Sequence, residues 1–108
     1  SSVIAKEGVI RITAKSINET VSKYYGIPIE DIKGKRKTQD ISDARQICMY
    51  LCRKLTDMSF VVIGNEYGKR HYTTVIHAVD NIEKNIKTNK EVASAIEIMT
   101  KQLKSILK

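Results

Sequence analysis

Arg70, His71, Tyr72, Thr73 and Thr74 stand side by side immediately ahead of an amphipathic stretch. Together they offer a guanidinium fork, an imidazole, a phenol and two hydroxyls with their methyl groups. Arginine can grip a guanine edge through two bonds, and a threonine methyl can touch the thymine methyl. Hydroxyl, amide and imidazole groups can hold phosphate, helped by the positive end of a helix. A second concentration of chemistry lies upstream in Lys33-Gly34-Lys35-Arg36-Lys37-Thr38, with four cations in six residues and no apolar side chain to bury. An exposed loop of this kind can reach a DNA minor groove, where negative potential favours inserted Arg or Lys. Each cluster has a plainer reading: helix capping for the threonines, and solubility for the loop.

The elements that must position these residues are set by the spacing of apolar side chains. Ile17, Val21 and Tyr24 or Tyr25 recur at helical intervals after Thr13 and Ser16, either of which can cap, and Gly26 is a natural stop. A first helix is therefore expected over about 14 to 25. Pro28 suits the first turn of a short helix through Ile32, ended by Gly34. After Asp40, read as an N-cap, the residues Ile41, Ala44, Ile47, Cys48, Leu51, Cys52 and Leu55 mark the buried stripe of a long helix. Its other face carries Arg45, Gln46, Arg53 and Lys54, a surface either simply solvated or turned toward phosphate.

Ser59 can cap a short helix through about Tyr67, although Phe60-Val61-Val62-Ile63 has the composition of a strand. The residues beyond Tyr67 favour the helix. Gly68 permits a sharp turn, and Val75, Ala78, Val79, Ile82 and Ile86 then form the stripe of a helix beginning near Tyr72. A short helix, a glycine-bearing turn and a second amphipathic helix make a helix-turn-helix pattern, in which the N-terminal residues of the second helix meet base edges. A last helix from about Asn89 turns Val92, Ala95, Ile96, Met99, Leu103 and Ile106 inward.

Composition narrows the classes. The 108 residues suit one domain, and a 42% hydrophobic content is too high for a disordered chain. Nineteen Lys and Arg against twelve Asp and Glu give a net charge of +7, an attractive field for a polyanion. A membrane surface is disfavoured as partner because the chain has no Trp and only one Phe, Phe60, for an apolar face. Ser1-Ser2-Val3-Ile4 does not begin a secretory signal, so a cytoplasmic home is expected. Cys48 and Cys52 share a helix face with Leu51 and Leu55 and read as small core residues; His71 and His77 have no spacing that pairs them as metal ligands. Catalytic motifs fail on inspection. Gly34-Lys35 approaches a phosphate-binding loop, but Ile29 stands where a Gly is needed and Arg36 where a Ser or Thr is needed. The chain is expected not to be an enzyme.

The stretch Ile63-Gly64-Asn65-Glu66-Tyr67-Gly68-Lys69-Arg70-His71-Tyr72-Thr73-Thr74-Val75-Ile76-His77-Ala78 resembles the signature of the C-terminal domain of the bacterial replication initiator DnaA. In that family an aromatic, a Gly and an Arg precede Asp-His-Thr-Thr-Val and then His-Ala. Tyr24-Tyr25-Gly26-Ile27, Lys35-Arg36-Lys37, and Ala44-Arg45-Gln46 ahead of Lys54-Leu55-Thr56 also stand where the family has similar residues, so the resemblance runs from about 11 to 105. It implies an all-α, compact multi-helix domain with a helix-turn-helix in a Trp-repressor-like arrangement. It also implies double-stranded DNA as partner, read at a short asymmetric site, the DnaA box, within the bacterial nucleoid.

Carried over residue by residue, Thr73 touches bases, while Thr74, His77, Arg45, Gln46 and Arg53 hold the backbone. Lys37 matches the minor-groove arginine, with Lys35 and Arg36 beside it, and Arg70 matches the arginine ahead of the recognition helix. No cofactor is implied in this domain; ATP belongs to an upstream module, and oligomerisation to regions outside this chain. Two departures concern specificity. His71 and Tyr72 replace the base-reading Asp and His, and Phe60-Val61 replaces the usual Leu-Pro beside the DNA backbone. An Asp accepts from cytosine, so its loss alters a pairing worth about 1–3 kcal/mol and removes a strong helix cap. A divergent stand-alone or phage-type DNA-binding regulator with another site is the alternative reading, and a protein-interaction module a more distant one.

Overall fold

The computed structural model describes residues 11–105, and its elements there are all helical. They are α1 (Ala14–Tyr25), α2 (Ile29–Ile32), α3 (Gln39–Leu55), α4 (Phe60–Glu66), α5 (Tyr72–Thr88) and α6 (Lys90–Lys104). The readings of Ser1 to Ile4 and of Ile106 fall outside the described residues. No helix among the described residues is long and apolar enough to cross a membrane.

Local chemistry sets the ends of most elements. Thr13 and Ser16 do not compete for the first cap; they share it in a reciprocal capping box, with Ser16 N–H bonded to Thr13 Oγ1 at 3.2 Å and Thr13 N–H to Ser16 Oγ at 2.9 Å. Gly26 closes α1 in the left-handed region at φ 67°. Pro28 sits at the N-cap of α2, one position before the first turn, and Lys33 is the residue that closes that helix. Asp40 is not the cap of α3. The helix starts at Gln39 with Thr38 in the capping position, and the Thr38 hydroxyl donates to Asp40 Oδ1 at 2.6 Å while Ile41 N–H donates to the same oxygen at 2.9 Å. The carboxylate at the second helical position thus folds back on the helix start, and those two bonds, the Thr38 one foremost, lower its pKa. Ser59 Oγ caps α4 from Val62 N–H, and Asn89 Oδ1 caps α6 from Glu91 and Val92 N–H.

Helix α3 lies at the centre, packed most extensively on α5 and also on α1, α2 and α4; α6 closes the other side of α1 and α5. Ile41, Ala44, Ile47, Cys48, Leu51 and Cys52 of α3 meet Ile17, Val21, Ile63, Val75, Ala78, Val79 and Ile82 in one core, continued by Ala95, Ile96, Met99 and Leu103. Neither Tyr24 nor Tyr25 extends the α1 stripe into this core. They are 40% and 39% exposed, and they lean edge-to-face on one another at the helix end.

A buried polar chain crosses the core, and nothing in the apolar pattern announces it. The Tyr67 hydroxyl donates to Asn18 Oδ1, Asn18 Nδ2 donates to Glu66 Oε2 at 3.0 Å, and Glu66 pairs with Lys33 Nζ at 3.3 Å. With the phenol proton directed at Asn18, the Cys52 thiol 3.3 Å away donates to the phenol oxygen. Burial pushes the Cys52 pKa up to about 11 and that of Cys48 higher still, so both remain thiols at neutral pH, as small core residues.

The turn between α4 and α5 is set by backbone geometry. Gly68 (φ 78°) and Lys69 (φ 57°) are both left-handed, which costs a non-glycine residue about 1–2 kcal/mol. Lys69→Gly is therefore expected to raise stability by about 0.5 kcal/mol, the relieved strain being partly offset by the entropy of a new glycine. Urea unfolding of the two proteins checks it; a destabilised variant would mean the lysine side chain makes a contact worth more than the strain.

Candidate nucleic-acid interface

Helix α5 buries Val75, Ala78, Val79 and Ile82 and leaves Tyr72, Thr73, Thr74, Ile76, His77, Asp80, Asn81 and Lys84 exposed. Its buried stripe fixes which face looks outward. Beside that face the polar side of α3 and the 33–38 loop complete an open groove of about 620 Å³, lined by Lys37, Ser42, Arg45, Gln46, Met49, Arg70, Thr74, His77, Ala78, Asp80, Asn81 and Lys84. Six of the residues singled out in the sequence therefore meet on one concavity: Lys37, Arg45, Gln46, Arg70, Thr74 and His77. Asn81, which donates to Gln46 Oε1 at 2.7 Å, and Lys84 were missed. Their signal was available, since Thr74, His77, Asn81 and Lys84 recur at helical spacing as a polar stripe. The groove's carboxylate, Asp80, is 3.1 Å from Lys84 Nζ.

Arg45 is not on a solvated face. It is 4% exposed, with Nε donating to the carbonyl of Ile32 at 2.7 Å and Nη2 to those of Asp31 and Arg36 at 2.9 and 2.8 Å. The planar fork fits the carbonyls of Ile32 and Arg36, for which the end of α2 and the basic loop supply no backbone donor, and adds a second bond to Asp31 O, which already accepts the Gly34 N–H at 3.2 Å, so the side chain turns under the loop and away from water. Arg70 does the same from the other side. Its Nη1 donates to Gly34 O at 2.9 Å and Tyr67 O at 2.6 Å, so it ties the helix-turn-helix turn to the loop. Burial lowers the pKa of both guanidiniums, and for Arg45 the neighbouring Arg70 charge adds to it. Two like charges held in one groove favour an anion there.

Close backbone approaches complete this clamp. A Cβ on Gly68 would lie 2.6 Å from Arg70 Nη1 and 3.2 Å from Gly34 O, and one on Gly64 only 2.2 Å from Arg70 O. Glycine thus allows α4, the start of α5 and the basic loop to touch. Within the loop, Lys33 pairs with Glu66 at 3.3 Å and Arg36 with Asp31 at 3.7 Å. Lys35 and Lys37 make no ion pair with the described residues.

The remaining candidates lie at the edges of the groove. His71 is the N-cap of α5: its Nδ1 accepts from Thr73 N–H at 3.3 Å, so the cap expected to be lost with Asp is supplied by the imidazole. Its ring stacks on Tyr72 with centroids 4.5 Å apart, and both side chains are exposed with Thr73 at the tip of α5. Arg53 and Phe60 are paired elsewhere, the guanidinium carbon 4.1 Å from the ring centroid and Nη1 on the Met58 carbonyl at 3.2 Å. Phe60 is half-buried against the core.

A short helix, a tight turn with two left-handed residues and a second helix with a polar, cation-flanked face define a helix-turn-helix domain of the DNA-binding class. The family model described as "Bacterial dnaA protein helix-turn-helix" matches residues 14–82, more than half of the chain. The chain belongs to this bacterial DnaA helix-turn-helix family. The crystal structure of a DNA replication initiation factor is similar to it at 32% sequence identity and a TM-score of 0.77, over 88% of this chain. This chain spans 29% of that protein's length.

Proposed function

We propose that this chain is the origin-binding module of a bacterial replication initiator, binding double-stranded DNA at DnaA boxes with α5 in the major groove and the 33–38 loop in the adjacent minor groove. The observation that carries it is the single concavity on which Lys37, Arg45, Arg70, Thr74 and His77 converge beside the exposed tip of α5. Such a surface holds phosphates along one backbone while the first turn of α5 reaches bases. Thr73, at that tip, is the base contact; Thr74, His77 and Gln46 face the backbone, with Arg53 and Phe60 at the flank. On this reading residues 1–108 are one non-catalytic domain, working in the nucleoid. Cofactor binding and self-assembly then belong to an ATP-dependent module outside it.

Fluorescence anisotropy of a duplex bearing a consensus box, against a scrambled duplex at two salt concentrations, tests the reading. Preference for the box is expected. Equal, salt-sensitive binding to both would instead support a divergent DNA-binding regulator, which the His71-Tyr72 pair favours. Salt-insensitive binding would point to a protein-interaction role. Lys37→Ala is expected to lower the salt slope by about one unit without changing the unfolding midpoint, because its exposed side chain has no ion-pair partner among the described residues. An unchanged slope would remove the loop from the interface.

A further inference from the structure

The N-cap of α5 fixes more than the helix start. A backbone N–H can only donate, so the 3.3 Å bond from Thr73 N–H requires the lone pair of the His71 ring on Nδ1. Thr73 Oγ1 lies 2.9 Å from the same nitrogen and can donate to it as well. The neutral ring then carries its proton on Nε2, at the opposite edge of this exposed imidazole. The stacked Tyr72 ring, at 4.5 Å and 30°, holds that orientation.

We propose that His71 is a specificity-determining residue that reads one base edge as a hydrogen-bond donor, through Nε2–H, and so favours a base that presents an acceptor, guanine with its two foremost, and rejects cytosine at that position. This rests on the proposed placement of α5 in the major groove. There guanine offers two acceptors, N7 and O6; adenine offers N7 and thymine O4, whereas cytosine presents only its amino donor. A donor fixed by an internal cap cannot invert itself to accept from that amino group without losing the cap. The residue that holds the helix start thus also sets the sign of the contact.

Two experiments test it. Long-range proton–nitrogen NMR of the imidazole in the DNA-free chain at pH 8 is expected to show the Nε2–H tautomer; a dominant Nδ1–H tautomer overturns the proposal whatever the chain binds. Selection of bound sites from random duplexes is then run with the natural chain and with His71→Asp, which keeps a strong N-cap but can only accept. One position is expected to switch from guanine to cytosine, with relative affinity for the two bases changing about tenfold or more and the other positions unaltered. The same motif from both proteins at every position overturns the proposal while leaving the DNA-binding function standing. If the natural chain enriches no motif at all, the sequence-specific function fails and the assignment of His71 fails with it.

Discussion

Replacing Gly64 with alanine is expected to destabilise the domain by about 3 kcal/mol, at the upper end of what an overpacked site costs. The added methyl would lie 2.2 Å from the carbonyl oxygen of Arg70 and 3.6 Å from Val75 Cγ2. The oxygen belongs to the backbone and has no rotamer to change. Gly64 O also accepts the Arg70 N–H at 2.9 Å, so relieving the clash by separating α4 from the start of α5 breaks the bond that closes the turn. In a domain of this size such a loss lowers the melting temperature by roughly 12 °C or more. Thermal unfolding followed by circular dichroism checks it. A drop of only a few degrees would show that α4 slides outward at little cost and that the two helices are less tightly joined than their geometry indicates.

The second large effect is expected at Arg45, and it separates two roles that the residue type alone leaves confounded. Arg45→Met keeps the aliphatic stem but removes the donors to three carbonyls, of Asp31, Ile32 and Arg36. Asp31 O keeps the Gly34 N–H, but the carbonyls of Ile32 and Arg36 are left without a donor, each at a cost on the order of 1–3 kcal/mol, partly offset because the buried charge is gone and because the loop can open to water. A net loss of about 2 kcal/mol is expected in urea unfolding. DNA affinity should fall further than the removal of one cation explains, since Lys35 and Lys37 ride on the backbone that Arg45 holds. The salt slope should therefore drop by more than one unit. An Arg45 acting purely as a phosphate contact would leave stability unchanged and take one unit from the slope. Observing that outcome would return it to the solvent-facing role its place on the polar side of α3 suggests.

These two positions show where sequence reasoning was strong and where it stopped. The four long helices were legible because their apolar residues repeat at 3.6-residue intervals, the short α2 from Pro28, and most of the helix ends because Thr13, Gly26, Ser59, Gly68 and Asn89 have local capping or turn chemistry that needs no distant partner. The strand-like run at Phe60 to Ile63 was resolved correctly by the turn and the helix after it. The misplaced cap at Asp40 arose because Thr38 and Asp40 are both good capping types, and only the backbone decided that the carboxylate would sit inside the helix. The tyrosines after Val21 were overread for a similar reason: spacing marks a face, but whether the core extends to the helix end depends on what packs there.

Helical class, the helix-turn-helix, the positive charge and the two clusters of donors were determined by the chain's own order of residues, because each depends on periodicity, composition or neighbours a few positions apart. Tertiary structure alone decided that Arg45 and Arg70 turn inward to hold the loop carbonyls and that Asn18 and Tyr67 meet inside the core. Those outcomes rest on contacts between residues as much as 49 positions apart in the chain, such as Tyr67 and Asn18. An arginine on a polar helix face has the same sequence signature whether its partner is a phosphate or a backbone carbonyl. Only the position of the loop above it distinguishes the two.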